Sequence, residues 1–127
     1  MYSDFRDLTA YRKAFQQAGI IFEYSQHFPK EEKYSLTDQI RRSSRSVCAN
    51  LAEAYRKRDY VKHFYLKLTD CLGENSETLV WLDFALHHKY LSQENYNFIT
   101  EINKEVGKLL SFMLNYPEKF GVSTNPL

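Results

Sequence analysis

FPKEEKYSLTDQIRRSSRSVCANLAEAY, residues 28–55, opens on a proline-containing break and then carries two faces at helical spacing. One face is apolar: Leu36, Ile40, Val47, Leu51 and Ala54. The other is polar: Gln39, Arg42, Ser46, Asn50 and Glu53, stepping by 3, 4, 4 and 3 along one side of a helix. A merely solvated face would be served as well by Lys and Glu. This mixture of amides, a hydroxyl and an arginine reads instead as an ordered polar network at a helix–helix or subunit interface, with Glu53 or Glu77 as the partner of Arg42. Direct contact of the same face with phosphate or RNA is the sharper alternative, since Arg offers a fork of donors and Ser and Asn add hydrogen bonds.

Working outward, three further helices are expected, each with a cap. Thr9 is read as the cap of a first helix over about 9–27, with the stripe Tyr11, Ala14, Phe15, Ala18, Ile21 and Phe22. Ser35, with Asp38 three residues on, opens the second, about 35–56. Asp59 is read as the cap of the third, about 59–89, whose stripe runs from Val61 and Phe64 to Ala85 and Leu86 and is interrupted by Gly73, Asn75 and Ser76. That interruption predicts a kink or a close helix approach, and Gly19 suggests close approach in the first helix. Ser92 caps the fourth, about 92–115, ending before Pro117. Residues 121–127 read as a frayed tail. Only four Gly and three Pro interrupt the 127 residues. The expectation is an all-α, single-domain chain: an antiparallel, up-down-up-down four-helix bundle.

Net charge is +1, so the total points to no partner. Its distribution does. Residues 39–62 hold seven Lys and Arg against two carboxylates, whereas residues 67–118 hold four Lys against eight. A basic side and an acidic side follow, which suits an anionic partner and equally suits head-to-tail self-association. The candidate nucleic-acid-binding residues are Arg41, Arg45, Arg56, Lys57, Arg58 and Lys62; the bland reading of Arg56-Lys57-Arg58 is a helix-end cation cluster suited to the dipole. The candidate structural network is Gln39, Arg42, Ser46, Asn50, Glu53 and Glu77, facing a polar layer at Glu74–Thr78 with Trp81.

Catalytic signatures are missing. No GxxxxGK[ST], GxSxG or HExxH occurs, and none of His27, His63, His87 and His88 has a Glu three residues before it. Neither an enzyme, nor a metal site, nor a cofactor is expected. Cys48 and Cys71 lack metal spacing and read as free thiols in a reducing compartment. No apolar run is long enough to span a membrane, and residues 1–13 are polar and charged, so a cytoplasmic location is expected.

The order Gln39-Ile40-Arg41-Arg42-Ser43, Ser46-Val47, Asn50-Leu51-Ala52-Glu53 resembles the signature of the bacterial four-helix bundle proteins, also called 23S rRNA intervening-sequence proteins. Phe28-Pro29, Glu32 and Leu36 fit the approach to it, and Glu77-Thr78 with Trp81-Leu82 fits a second block. The resemblance covers about residues 5–115. One departure is Ala54, where such proteins usually carry Gly. The resemblance implies a left-handed up-down-up-down bundle, assembly into a ring-shaped homopentamer, an RNA-related role and no established enzymatic activity. A related branch serves as a pentameric accessory of reverse transcriptases, so a protein-interaction module is the alternative function.

Overall fold

The computed structural model describes residues 4–123. Four helices form an all-α bundle: α1, Thr9–Ser25; α2, Leu36–Arg56; α3, Val61–His87; and α4, Gln93–Asn115. Short 3-10 turns lie at Phe5–Asp7, Lys30–Glu32 and Pro117–Phe120. Among the described residues there is no strand. Each helix packs on its neighbours in sequence and α4 packs on α1, while the diagonal pairs stay apart at the backbone. The α2–α3 seam is the most extensive.

The core face of α2 is the apolar one read from its spacing. Leu36, Ile40, Val47, Leu51 and Ala54 are all buried. Ser43 and Ser44 join them at 0% exposure, because both hydroxyls find partners: Ser43 Oγ meets Thr78 Oγ1 at 2.8 Å, and Ser44 donates to the Arg41 carbonyl at 3.2 Å.

Helix α1 is rotated relative to the expected stripe. Its buried positions are Ala10, Ala14, Gln17, Ile21 and Ser25, whereas Phe15 is 64% exposed. Tyr11, Ala18 and Phe22 are only half-buried. The spacing rule counts apolar residues, but Gln17 and Ser25 enter the interior because partners await them there.

The helix ends also differ in detail. Leu8, not Thr9, occupies the cap position of α1, and Tyr60, not Asp59, that of α3; neither makes a side-chain cap. Ser35 precedes α2 but does not cap it. Glu32 does that work: its Oε1 accepts from Ser35 Oγ at 2.6 Å and from the Leu36 N–H at 3.4 Å. Its other oxygen accepts from Tyr90 Oη at 3.0 Å. Ser92 caps α4 as expected, accepting from the Asn95 N–H at 3.0 Å.

Helix α3 runs unbroken through Gly73, Asn75 and Ser76. A Cβ at Gly73 or at Gly19 would meet nothing within 4 Å, so neither glycine marks a close approach within the chain. Asn75 interrupts the apolar stripe for a different reason: it is 5% exposed and hydrogen-bonded at the bundle centre. In the segment read as a tail, Val122 is 3% exposed and packs into the core; residues 124–127 lie outside the described residues.

Candidate nucleic-acid interface

The polar face of α2 turns toward α3 and divides into two groups. In the first, the Arg42 guanidinium forks between Glu74, at 3.3 Å, and Glu77, and it also donates to Gln39 Oε1 at 3.3 Å. Glu77 in turn accepts from the Trp81 indole at 3.3 Å. The hydrogen bond to Glu77 is the largest influence raising the Arg42 pKa above its ordinary value. In the second, Lys67 reaches Glu53 at 2.6 Å and donates to Asn50 Oδ1 at 3.3 Å, while Asn50 Nδ2 donates to the Ser46 carbonyl at 3.0 Å. The six residues read from the sequence as one network are therefore split, and Arg42 pairs with Glu74 and Glu77 rather than with Glu53. Lys67 and Glu74 complete it. Both groups lie within one chain.

A third polar group had no signal in the spacing of α2. Gln17, Asn75 and Asn103 meet at the bundle centre from α1, α3 and α4. Gln17 donates to Asn75 Oδ1 at 3.1 Å, and Asn103 donates to Gln17 Oε1 at 2.7 Å. Only the interruption of the α3 stripe by Asn75 hinted at it.

The six candidate cations are not equivalent. Arg58 stacks 3.7 Å from the centre of the Tyr55 ring and donates to the carbonyls of Tyr55, at 2.8 Å, and Phe120, at 3.3 Å. It ties the last 3-10 turn to the end of α2. Arg41 donates to Ser25 Oγ at 2.8 Å and lies over the Phe22 ring, 4.6 Å from its centre. Both are held by their own chain. Arg45 lies over the Phe22 ring, 5.8 Å from its centre. Among the described residues no carboxylate lies within 4.0 Å of the cationic nitrogens of Arg45, Arg56, Lys57 or Lys62. Arg45, Arg56 and Lys62 are exposed. An open trough of about 890 Å³ lies at this end of the bundle, lined by Arg6, Arg56, Lys57 and Arg58 together with the carboxylates of Asp4, Glu53 and Asp59.

The whole arrangement is one of hydrogen-bond donors and cations on a rigid helical frame. Among the described residues, no cluster of three or more His, Cys, Asp or Glu is placed to hold a metal, and no helix is long and apolar enough to cross a membrane. Burial pushes the Cys48 thiol up to about 11 and the Cys71 thiol up to about 12, so neither is a ready nucleophile at neutral pH.

The family model described as 23S rRNA-intervening sequence protein matches residues 6–112. The chain belongs to that family. A solved structure from Bacteroides thetaiotaomicron, described as a protein with unknown function from the S23 ribosomal protein family, is 29% identical and superimposes with a TM-score of 0.77. The match covers 87% of this chain and 98% of that one. Neither description names a chemical activity. A search of curated proteins found no match.

Within this 23S rRNA-intervening sequence family member, the matched span takes in all of α1, α2 and α3, most of α4, and every residue of the two α2–α3 groups. It ends before the 3-10 turn that Arg58 anchors.

Proposed function

We propose that this protein is a non-enzymatic scaffold that binds structured RNA through the basic edge formed by Arg45, Arg56, Lys57 and Lys62, with Arg41 and Arg58 shaping that edge from behind. The observation that carries this reading is the unpaired state of those four cations, beside polar residues whose own charges are matched. Unneutralised cations on a rigid surface gain most from displacing the counterions of a polyphosphate. The family's name supports an RNA-related ligand. The bundle is up-down-up-down and assembles into a ring-shaped homo-oligomer, the homopentamer that the family resemblance implies, in the cytoplasm. Repetition of a basic edge around a ring strengthens binding by multivalency even though each chain carries only +1.

The test is binding of structured RNA and duplex DNA at two salt concentrations. Affinity for RNA is expected to fall steeply as salt rises, and the triple variant Arg56→Glu, Lys57→Glu, Lys62→Glu is expected to lose binding while remaining folded. An RNA affinity that is absent at low salt, or unchanged in that variant, sinks the reading.

A second reading, a protein-interaction module, is favoured by one observation. An apolar groove of about 610 Å³ runs between α1 and α2, open among the described residues. A variant that loses RNA binding but keeps its protein partners separates the two.

A further inference from the structure

Gly107 stands in the middle of α4, where an alanine would hold the helix better. Packing inside the chain does not call for a glycine there: an added Cβ would meet only the Asn75 amide nitrogen, at an ordinary 3.6 Å. What the missing side chain leaves open is the outer surface. Gly107 lines a groove of about 550 Å³ along the α3–α4 seam, whose inner wall is made by the buried amides of Asn75 and Asn103.

The rim of the groove comes from α4. Lys104, Lys108, Ser111 and Asn115 step by 4, 3 and 4 along one side of the helix, and Phe112 and Tyr116 stand at its end. Phe112 is 41% and Tyr116 45% exposed, and their ring centres are 4.9 Å apart. Lys104 and Lys108 line the groove, and no carboxylate does. Lys119, from the last 3-10 turn, adds a third cation 5.4 Å from the centre of the Phe112 ring and 5.2 Å from that of Tyr116. Three acids lie close by in sequence. Glu101 pairs with Lys104 at 3.6 Å, and Glu105 with Lys13 of α1 at 3.5 Å. Glu118, next to Lys119, does not line the groove. Lys108 is left with no carboxylate within 4.0 Å among the described residues. The aromatic end also adjoins the basic edge: the Phe112 ring meets the Phe120 ring edge-on at 6.1 Å, and the Phe120 carbonyl accepts from Arg58 at 3.3 Å.

We propose that this groove seats one unpaired nucleotide of the RNA, with its base against Phe112 and Tyr116 and its phosphate against Lys104 and Lys108. This rests on the RNA reading above and deepens it by naming the part of the RNA that is recognised. Exposed aromatic rings beside cations match a base joined to a phosphate. An acidic peptide would make no use of the rings, and an apolar ligand none of the lysines. Ser111 and Asn115 add a hydroxyl and an amide for the edge of the base. A base within a duplex keeps both faces in its own stack and cannot reach the rings, so the groove selects a bulge or loop over a fully paired stem. The open space over Gly107 is the room that nucleotide occupies.

Two RNA hairpins, identical except for one bulged nucleotide, test this by titration at low salt. The wild type is expected to bind the bulged hairpin about tenfold more tightly than the paired one, in line with the stacking of a single base. Tyr116→Ala, which removes a ring, and Gly107→Met, which fills the floor, are each expected to erase that preference and leave affinity for the paired hairpin unchanged; circular dichroism checks their folding. The double variant Lys104→Gln, Lys108→Gln alters exposed positions only and is expected to narrow the preference too. With 5-bromouridine at the bulge, irradiation is expected to cross-link Phe112 or Tyr116. Equal wild-type affinity for the two hairpins, variants that keep the preference, or a cross-link mapping elsewhere overturns the groove assignment and leaves RNA binding at the basic edge standing. Adenosine monophosphate or an oligoglutamate peptide binding as tightly as the bulged hairpin overturns it in favour of a free nucleotide or an acidic partner. A wild type that binds neither hairpin removes both readings together.

Discussion

Asn75 and Asn103 hold each other across the α3–α4 seam: Asn75 Nδ2 donates to the Asn103 backbone carbonyl, and Asn103 Nδ2 donates to that of Asn75, each at 3.0 Å. Gln17 closes the group from α1, and no buried side-chain nitrogen or oxygen among the described residues is left without a partner. A fully matched amide cluster in an apolar interior fixes the axial register of three helices, because a shift along the axis orphans several groups at once.

Asn103→Leu is expected to destabilise the fold by about 2 kcal/mol, since it leaves Gln17 Oε1 buried without a donor and removes the second donor to the Asn75 carbonyl, which keeps its helical hydrogen bond. The triple change Gln17→Leu, Asn75→Leu, Asn103→Leu is expected to recover part of that loss, as no orphaned group then remains. Urea unfolding midpoints measure both. A triple variant less stable than the single one contradicts the account.

The Glu32 carboxylate joins the α1–α2 connection to α2 and to Tyr90. Its pKa lies below the ordinary value of 4.5, chiefly through the Ser35 hydroxyl, with Tyr90 and the Leu36 N–H adding to it. A lowered folded-state value means that this contribution is fully present above the unfolded value and is lost as pH falls through the folded one. Thermal stability of the parent should therefore decline on acidification below about 4.5 more than that of Glu32→Gln, which should start lower at pH 7. Parallel melting-temperature profiles for the two proteins would remove Glu32 from the acid response.

Arg58 and Arg56 should behave oppositely. Arg58→Ala removes the Tyr55 stack and two carbonyl partners, so a loss of about 1 kcal/mol in stability is expected. Arg56→Ala should leave stability within about 0.5 kcal/mol, as expected for a surface change, and lower RNA affinity. Calorimetry and RNA titration on the two variants give the contrast.

Lys89 has a left-handed backbone, φ 63°, just after α3. The Tyr90 N–H then bonds back to the Ala85 carbonyl at 2.9 Å, closing the helix end. Lys89→Gly is expected to raise stability by up to about 1 kcal/mol, because glycine takes this conformation without steric cost. A lower unfolding midpoint would show that the Lys89 stem contributes packing that outweighs the strain.

Local rules determined much of this protein from the sequence alone: four helices, the Ser92 cap, and the buried Leu36–Ile40–Val47–Leu51–Ala54 face of α2, since each depends on residues within a few positions of one another. Arg42 could be assigned to a polar network with Glu53 or Glu77 as its partner, because their polar positions share a period, but only the packing of α2 on α3 chose Glu77 and added Glu74. Tertiary structure alone decided the rest. Phe15 faces outward because Gln17 and Ser25 have partners inside, one of them 58 residues away in Asn75. Glu32 caps α2 from across a turn, where spacing named Ser35. Arg58 is bound by the Phe120 carbonyl, 62 residues on, which separates it from the unpaired Arg56 beside it. A polar side chain is buried or exposed, and a cation is committed or available, according to the groups that meet it, and those arrive from distant parts of the chain.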